Sequence, residues 1–160
     1  MDVELGLKPA GVGGVVFKPL SAGDFVRAEN ELQELLDGVA TEYGSRLSRK
    51  SDSFGYEWIV IQDSGLEDQV TTVHAVAQGL TERGFGGQLL AAVFKFEGGG
   101  APGPVYWIYG FKRGAFWPFV PKGEKERDNA EELELKAKLE NELPVEQDLS
   151  RWFALFDAPL

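Results

Sequence analysis

The chain has 160 residues, 43% hydrophobic and 26% charged, with 26 acidic residues against 16 basic ones. That length and balance exclude a wholly disordered chain, a collagen-like repeat and a coiled-coil rod, and a core of this size needs no metal or disulfide staple. A net charge of −10 repels phosphate backbones and anionic lipid head groups, while the lack of cysteine and the presence of one histidine remove thiolate chemistry and most zinc-type sites.

Val15-Val16-Phe17-Lys18 reads as a short strand, following a turn at Gly11-Val12-Gly13-Gly14 and ending before Pro19. Ser21 opens a helix, with Asp24 three residues on as its reciprocal cap. Phe25, Ala28, Leu32, Leu35, Leu36 and Val39 then recur at steps of three and four, which makes one helix face apolar. A second strand is expected over Ser45 to Lys50, a turn at Asp52-Ser53, and a third strand over Tyr56 to Gln62. In that third strand Tyr56, Trp58 and Val60 share one face and Glu57, Ile59 and Ile61 the other, so both faces are expected to be covered.

Asp63 or Ser64 caps the next helix, whose apolar positions are Leu66, Val70, Val73, Ala77 and Leu80, and Arg83-Gly84 stops it. Three further strands are expected at Leu90 to Phe96, Val105 to Tyr109 and Ala115 to Val120. A loop at Gly98 to Gly103 joins the first two, and a tight turn at Gly110 to Gly114 joins the last two. Pro118 has no amide proton to give a ladder, so its strand is either at an edge or cut short. Asp128 with Glu131 starts a charged helix running to about Leu143, with Glu132–Lys136 and Glu134–Lys138 as helix-spaced pairs worth ~0.3 kcal/mol each. Pro144 ends it and begins a short last helix bearing Leu149, Trp152 and Phe153. Hairpin-linked strands between helices predict one α+β domain over residues 1–160, an antiparallel sheet flanked by helices.

No constellation calls for an enzyme, a cofactor or a metal. His74 lies at the margin of the apolar face of its helix, outside any His-Glu-x-x-His pattern, where a structural role is the ordinary one. Neither Gly11-Val12-Gly13-Gly14 nor Gly84-Phe85-Gly86-Gly87 fits a phosphate loop, and both read as turns. There is no Gly-x-Ser-x-Gly elbow. The acidic start, Met1-Asp2-Val3-Glu4-Leu5, is unlike a secretory signal, and no apolar run approaches the ~20 residues of a membrane span, so a cytoplasmic setting is expected.

The uncommon feature is aromatic density. Tyr106, Trp107, Tyr109, Phe111, Phe116, Trp117 and Phe119 fall between residues 106 and 119, with Lys112-Arg113 at the tip. They form either a sheet packed on both faces or an exposed surface for a partner or for self-association. From Glu124 onward the chain is strongly acidic, which solvates a helix face or steers a basic partner.

Several blocks are longer and more distinctive than turn chemistry requires: Leu7-Lys8-Pro9-Ala10-Gly11-Val12-Gly13, Phe54-Gly55-Tyr56-x-Trp58, and Val73-His74-Ala75-Val76 before Gly84-Phe85-Gly86. Others are Tyr109 to Phe119, Arg127-Asp128-Asn129-Ala130, Glu142-Leu143-Pro144-Val145-Glu146, and Leu149 to Phe153 with Ala158-Pro159. Together they resemble the PspAB family of PspA-associated proteins. The resemblance implies a fold like that of type III secretion chaperones, often dimeric, and an envelope-stress response built around the coiled-coil membrane-remodelling protein PspA. It also implies a link to an HtpX-type membrane zinc protease, and it brings no catalytic residues, so His74 gains no role from it. Such proteins usually start with a short Gly-Leu-Phe-type amphipathic segment, which does not precede Asp2, so a shortened start is expected.

The expected function is therefore a non-enzymatic protein-binding adaptor or chaperone-like module, with PspA or an HtpX-type protease as partner and a homodimer as a further form. Phe111, Lys112, Arg113, Trp117 and Trp152 are the expected contacts, the rings as anchors and the two cations fixing orientation. The alternative is a small-molecule sensor or enzyme with a cleft near His74.

Overall fold

The computed structural model describes residues 7–18, 25–44, 46–52, 55–63, 65–82, 84, 86–98, 104–112, 114–122, 126–141, 144–149 and 152. Strand β1 (Leu7–Phe17) is followed by helix α1 (Phe25–Tyr43), the hairpin β2 (Arg46–Ser51) and β3 (Glu57–Gln62), and helix α2 (Leu66–Glu82). Strands β4 (Leu89–Gly98), β5 (Val105–Gly110) and β6 (Ala115–Phe119) come next, and helix α3 (Asn129–Leu139) after them. All six strands form one antiparallel sheet in the order β2-β3-β1-β4-β5-β6. The fold is α+β, as the alternation of hairpins and helices predicts.

The longest departure from the sequence reading is in β1. Gly11 to Gly14 is part of a strand of eleven residues at the centre of the sheet, and not a turn before a short one. Between Pro9, which faces Phe96, and Gly13, which faces Phe94, β1 spends two more residues than β4, with Gly11 at φ +80. A bulge of this kind accepts a proline without an amide proton and a glycine in the left-handed region, so residues that look like breakers sit inside a strand.

Gly13 has a second task. β3 and β4 both flank β1, so α2, which connects them, crosses the strand it skips. A Cβ on Gly13 would stand 2.9 Å from the Val93 carbonyl oxygen and 3.2 Å from Oε1 of Gln69 in α2. The absence of a side chain is what lets helix and sheet approach. Gln69 is fully buried there and its Nε2 donates to the Asp63 carbonyl at 2.8 Å.

The buried face of α2 is accordingly turned from the predicted one. Gln69, Thr72, Val73, Val76, Ala77 and Leu80 point inward, and Val70 is half exposed. A Cβ on Gly79 would collide with the Leu35 side chain, so α1 and α2 also pack closely. In α1 the predicted Leu35, Leu36 and Val39 are buried; the side chains of Phe25, Ala28 and Leu32, and the cap at Ser21 and Asp24, lie outside the described residues.

Alternation along the paired strands sends Val15, Ile59, Ile61, Ala92, Phe94 and Trp107 to the α2 face, and Val16, Trp58, Val60, Val93, Ile108, Trp117 and Phe119 to the other. Every one of these residues is buried, which gives the two covered faces that β3 predicts. The turn at Asp52 also forms, and Asp52 fixes a core ring: its Oδ1 accepts from the Tyr56 amide at 3.0 Å and its Oδ2 from the Trp58 indole at 2.9 Å. Gly84 stops α2 at φ +90, and Asp63 accepts from the Gly65 amide at 3.1 Å at the other end. Ser45, Ser53, Ser64, Arg83 and the loop at 99–103 lie outside the described residues. No helix among the described residues is long and apolar enough to cross a membrane.

Gly13→Ala is expected to cost about 1–3 kcal/mol, because the neighbour it meets is backbone. Gly38→Ala, in α1 with nothing within 4 Å of the new Cβ, should stabilise by about 0.5–1 kcal/mol. Urea denaturation of both variants checks the pair; an unaltered Gly13→Ala midpoint would contradict the close approach.

Candidate functional site

The β5–β6 hairpin turns within Gly110 to Gly114, closed by the Gly114 amide donating to the Gly110 carbonyl at 2.9 Å with Gly114 at φ +62. Phe111 is tied to the neighbouring strand by its amide, 3.2 Å from the Leu90 carbonyl. Tyr109 and Phe116 are cross-strand partners, their ring centroids 4.8 Å apart, and Phe111 meets Tyr109 edge-on at 5.6 Å. These three rings are half-buried and Lys112 beside them is exposed, so the hairpin tip shows water an aromatic cluster bordered by a cation.

The other predicted contacts are placed differently. Trp117 is 7% exposed and its ring lies over Gly110, where a Cβ would stand 2.8 Å from it. Trp152 is 6% exposed, with its indole nitrogen donating to the Glu146 carbonyl at 2.8 Å. Both rings serve the core that carries the hairpin, and each offers a partner little surface. Alternation is the reason for Trp117, since Pro118 and Phe116 take the opposite face of β6. Arg113 and Phe153 lie outside the described residues.

The hairpin is held from behind by an arrangement that helix periodicity did not disclose. Glu132, expected as a helix-spaced partner of Lys136, is 1% exposed and pairs elsewhere. Its Oε2 accepts from the Val120 amide at 2.9 Å, and the Nε of Arg127 lies 2.9 Å from both carboxylate oxygens. The Arg127 guanidinium stands over the Phe119 ring at 5.3 Å and donates from Nη1 to the Trp152 carbonyl at 2.7 Å. One cation thus ties β6, α3 and the segment around Trp152 together. Lys136 turns to Glu140 at 3.2 Å, while Lys138–Glu134 forms as predicted at 3.3 Å. The α3 cap forms too, with Asp128 Oδ1 accepting from the Glu131 amide at 3.1 Å, but the helix ends at Leu139.

Pro118 lies in an edge strand, as its missing donor requires, and that edge is covered. The Phe116 amide donates to the Pro144 carbonyl at 2.7 Å, and the Glu146 amide returns to the Phe116 carbonyl at 2.8 Å. Burial is the largest influence on the Glu132 carboxyl and raises it above its ordinary value of 4.5; the Val120 amide and Arg127 oppose that rise.

His74 stands on the exposed side of α2, one position from the buried Val73. An open groove lies elsewhere, lined by Gly11, Gly44, Arg46, Gln62 and Asp63. Among the described residues no three His, Asp or Glu side chains are grouped to hold a metal ion.

Against known families, the model described as PspAB, PspA associated protein B, matches residues 1–160, the whole chain. No curated protein and no solved structure matches.

A carboxyl whose folded pKa is raised supports the fold most when protonated. Relative to Glu132→Gln, the natural chain should be most stable below pH 4.5 and lose ground as pH rises through the raised value. Glu132→Ala, which strands Arg127 and the Val120 amide, should cost roughly 2–3 kcal/mol. Urea unfolding of the three proteins across pH tests this; a natural-chain advantage over Glu132→Gln that grows with pH would contradict it.

Proposed function

The chain belongs to the PspA associated protein B family, and from that premise we propose that it is a protein-binding adaptor or chaperone-like module without chemistry of its own. It works in the cytoplasm, in a PspA-linked envelope-stress response, with PspA as its first partner. A chaperone-like activity, a homodimer and an HtpX-type protease partner belong to the same reading.

The observation that supports it is the hairpin tip. Tyr109 packs against both Phe111, edge-on, and Phe116, tilted, at the half-buried tip of the β-hairpin, so part of the side-chain entropy of these rings is spent before a partner arrives. Aromatic anchors with a bordering cation are the composition of an interface centre. Phe111 and Lys112 are the proposed direct contacts, with Arg113 beside them in sequence. Trp117 and Trp152 contribute from beneath, by holding Gly110 and the Arg127 anchor in place.

Immobilised PspA should retain the natural chain and lose most of it when Lys112→Glu is combined with Arg113→Glu. Phe111→Ser, which removes an anchor ring, should weaken retention by about tenfold. Equal recovery of all three proteins would remove the tip from the proposal.

A further inference from the structure

The two outer strands of the sheet are finished in opposite ways. The free side of β6 is covered by the segment around Val145, and Pro118 contributes no amide proton there. β2, at the far end of the strand order, pairs only with β3 among the described residues. Its outer backbone is therefore a template for another strand.

The composition of β2 is also against the grain of the chain. Arg46, Arg49 and Lys50 place three cations in six residues of a protein whose net charge is −10. Arg46, Ser48 and Lys50 alternate onto one face and all three are exposed, while Leu47 and Arg49 are half-buried. The open groove lined by Gly11, Gly44, Arg46, Gln62 and Asp63 adjoins the start of β2 at the ends of its neighbouring strands. A cationic edge strand offers main-chain hydrogen bonds along its outer side and carboxylate contacts at Arg46 and Lys50, with the Ser48 hydroxyl between them on the same face.

We propose that the outer edge of β2 docks an extended acidic peptide segment of another protein, which adds a strand to the sheet and sets its carboxylates on Arg46 and Lys50. This site is separate from the aromatic tip, at the opposite end of the sheet. A second copy of this chain is a poor occupant, because two β2 edges would bring like charges together. An anionic lipid surface offers no backbone to pair and meets the repulsion of the whole chain.

The probe is a fluorescein-labelled peptide of about eight residues, alternating Glu and Val, titrated with the full chain and followed by anisotropy. Saturable binding is expected. Arg46→Glu with Lys50→Glu should weaken it by roughly tenfold or more, and so should N-methylation of alternate probe amides. Lys122→Glu with Lys138→Glu, which changes the net charge equally far from β2, should leave it within about twofold. Equal binding of the N-methylated probe would reduce the interaction to charge attraction and overturn the proposal. So would undiminished binding by the β2 variant, self-association through this edge, or preference for phosphatidylserine vesicles over the peptide. If the charge-reversed variant loses its native circular dichroism, Arg46→Gln with Lys50→Gln is read in its place.

Discussion

Burial of both faces of the sheet is the constraint from which the rest of this protein follows. Trp58, Val60, Val93 and Ile108 on one side and Val15, Ile59, Ile61 and Trp107 on the other are all nearly inaccessible. A sheet so used has only its edges and its turns left to meet other molecules. The dense aromatic run therefore divides: Tyr106, Trp107, Trp117 and Phe119 go into the core, and Tyr109, Phe111 and Phe116 gather where the hairpin leaves it. Rings one or two residues along the strands from those in the core form the half-buried aromatic cluster of the tip.

Behind that surface the β6 edge of the sheet is fastened by the guanidinium of Arg127. It meets a buried carboxylate, an aromatic face and a backbone carbonyl, from three separate parts of the chain. A buried ion pair stabilises little against an apolar replacement of similar shape. Its use here is geometric, because the three contacts together constrain α3 and the Trp152 segment against β6. At the centre of the sheet Gly13 plays the complementary part, since the approach of α2 depends on a side chain that is absent.

Much of the architecture was legible in the sequence. Alternation, apolar spacing, caps and Gly/Pro punctuation located β2 to β6 and the three helices α1 to α3, and Pro118 marked a strand at an edge or cut short. The short helix expected to begin at Pro144 gives way to a bridge from Val145 to Phe116. The errors share one physical origin, contacts between residues distant in sequence. Pro9 and Gly11 to Gly14 are breakers by local propensity, yet a bulge against β4 keeps them in a strand. Gln69 and Thr72 are polar and stand outside the apolar stripe that the helix spacing picks out, but the crossing of β1 buries them. Glu132 had a suitable Lys136 one turn away, and lost to Arg127, whose position is set by the bridge at Pro121. For the candidate site, the location of the tip was readable and the division of its rings was not, because inward and outward depend on strand register. That the cationic strand β2 lies at an edge follows from the strand order, which local pattern does not carry.

The central claim is that the hairpin tip of this protein is where PspA is met. Hydrogen–deuterium exchange of the chain, alone and with PspA, reads it directly. The account predicts that amides from Tyr109 to Phe116 exchange more slowly in the complex while those of α2 around His74 are unchanged. Protection centred on the His74 side of α2, with the hairpin unaffected, would contradict it.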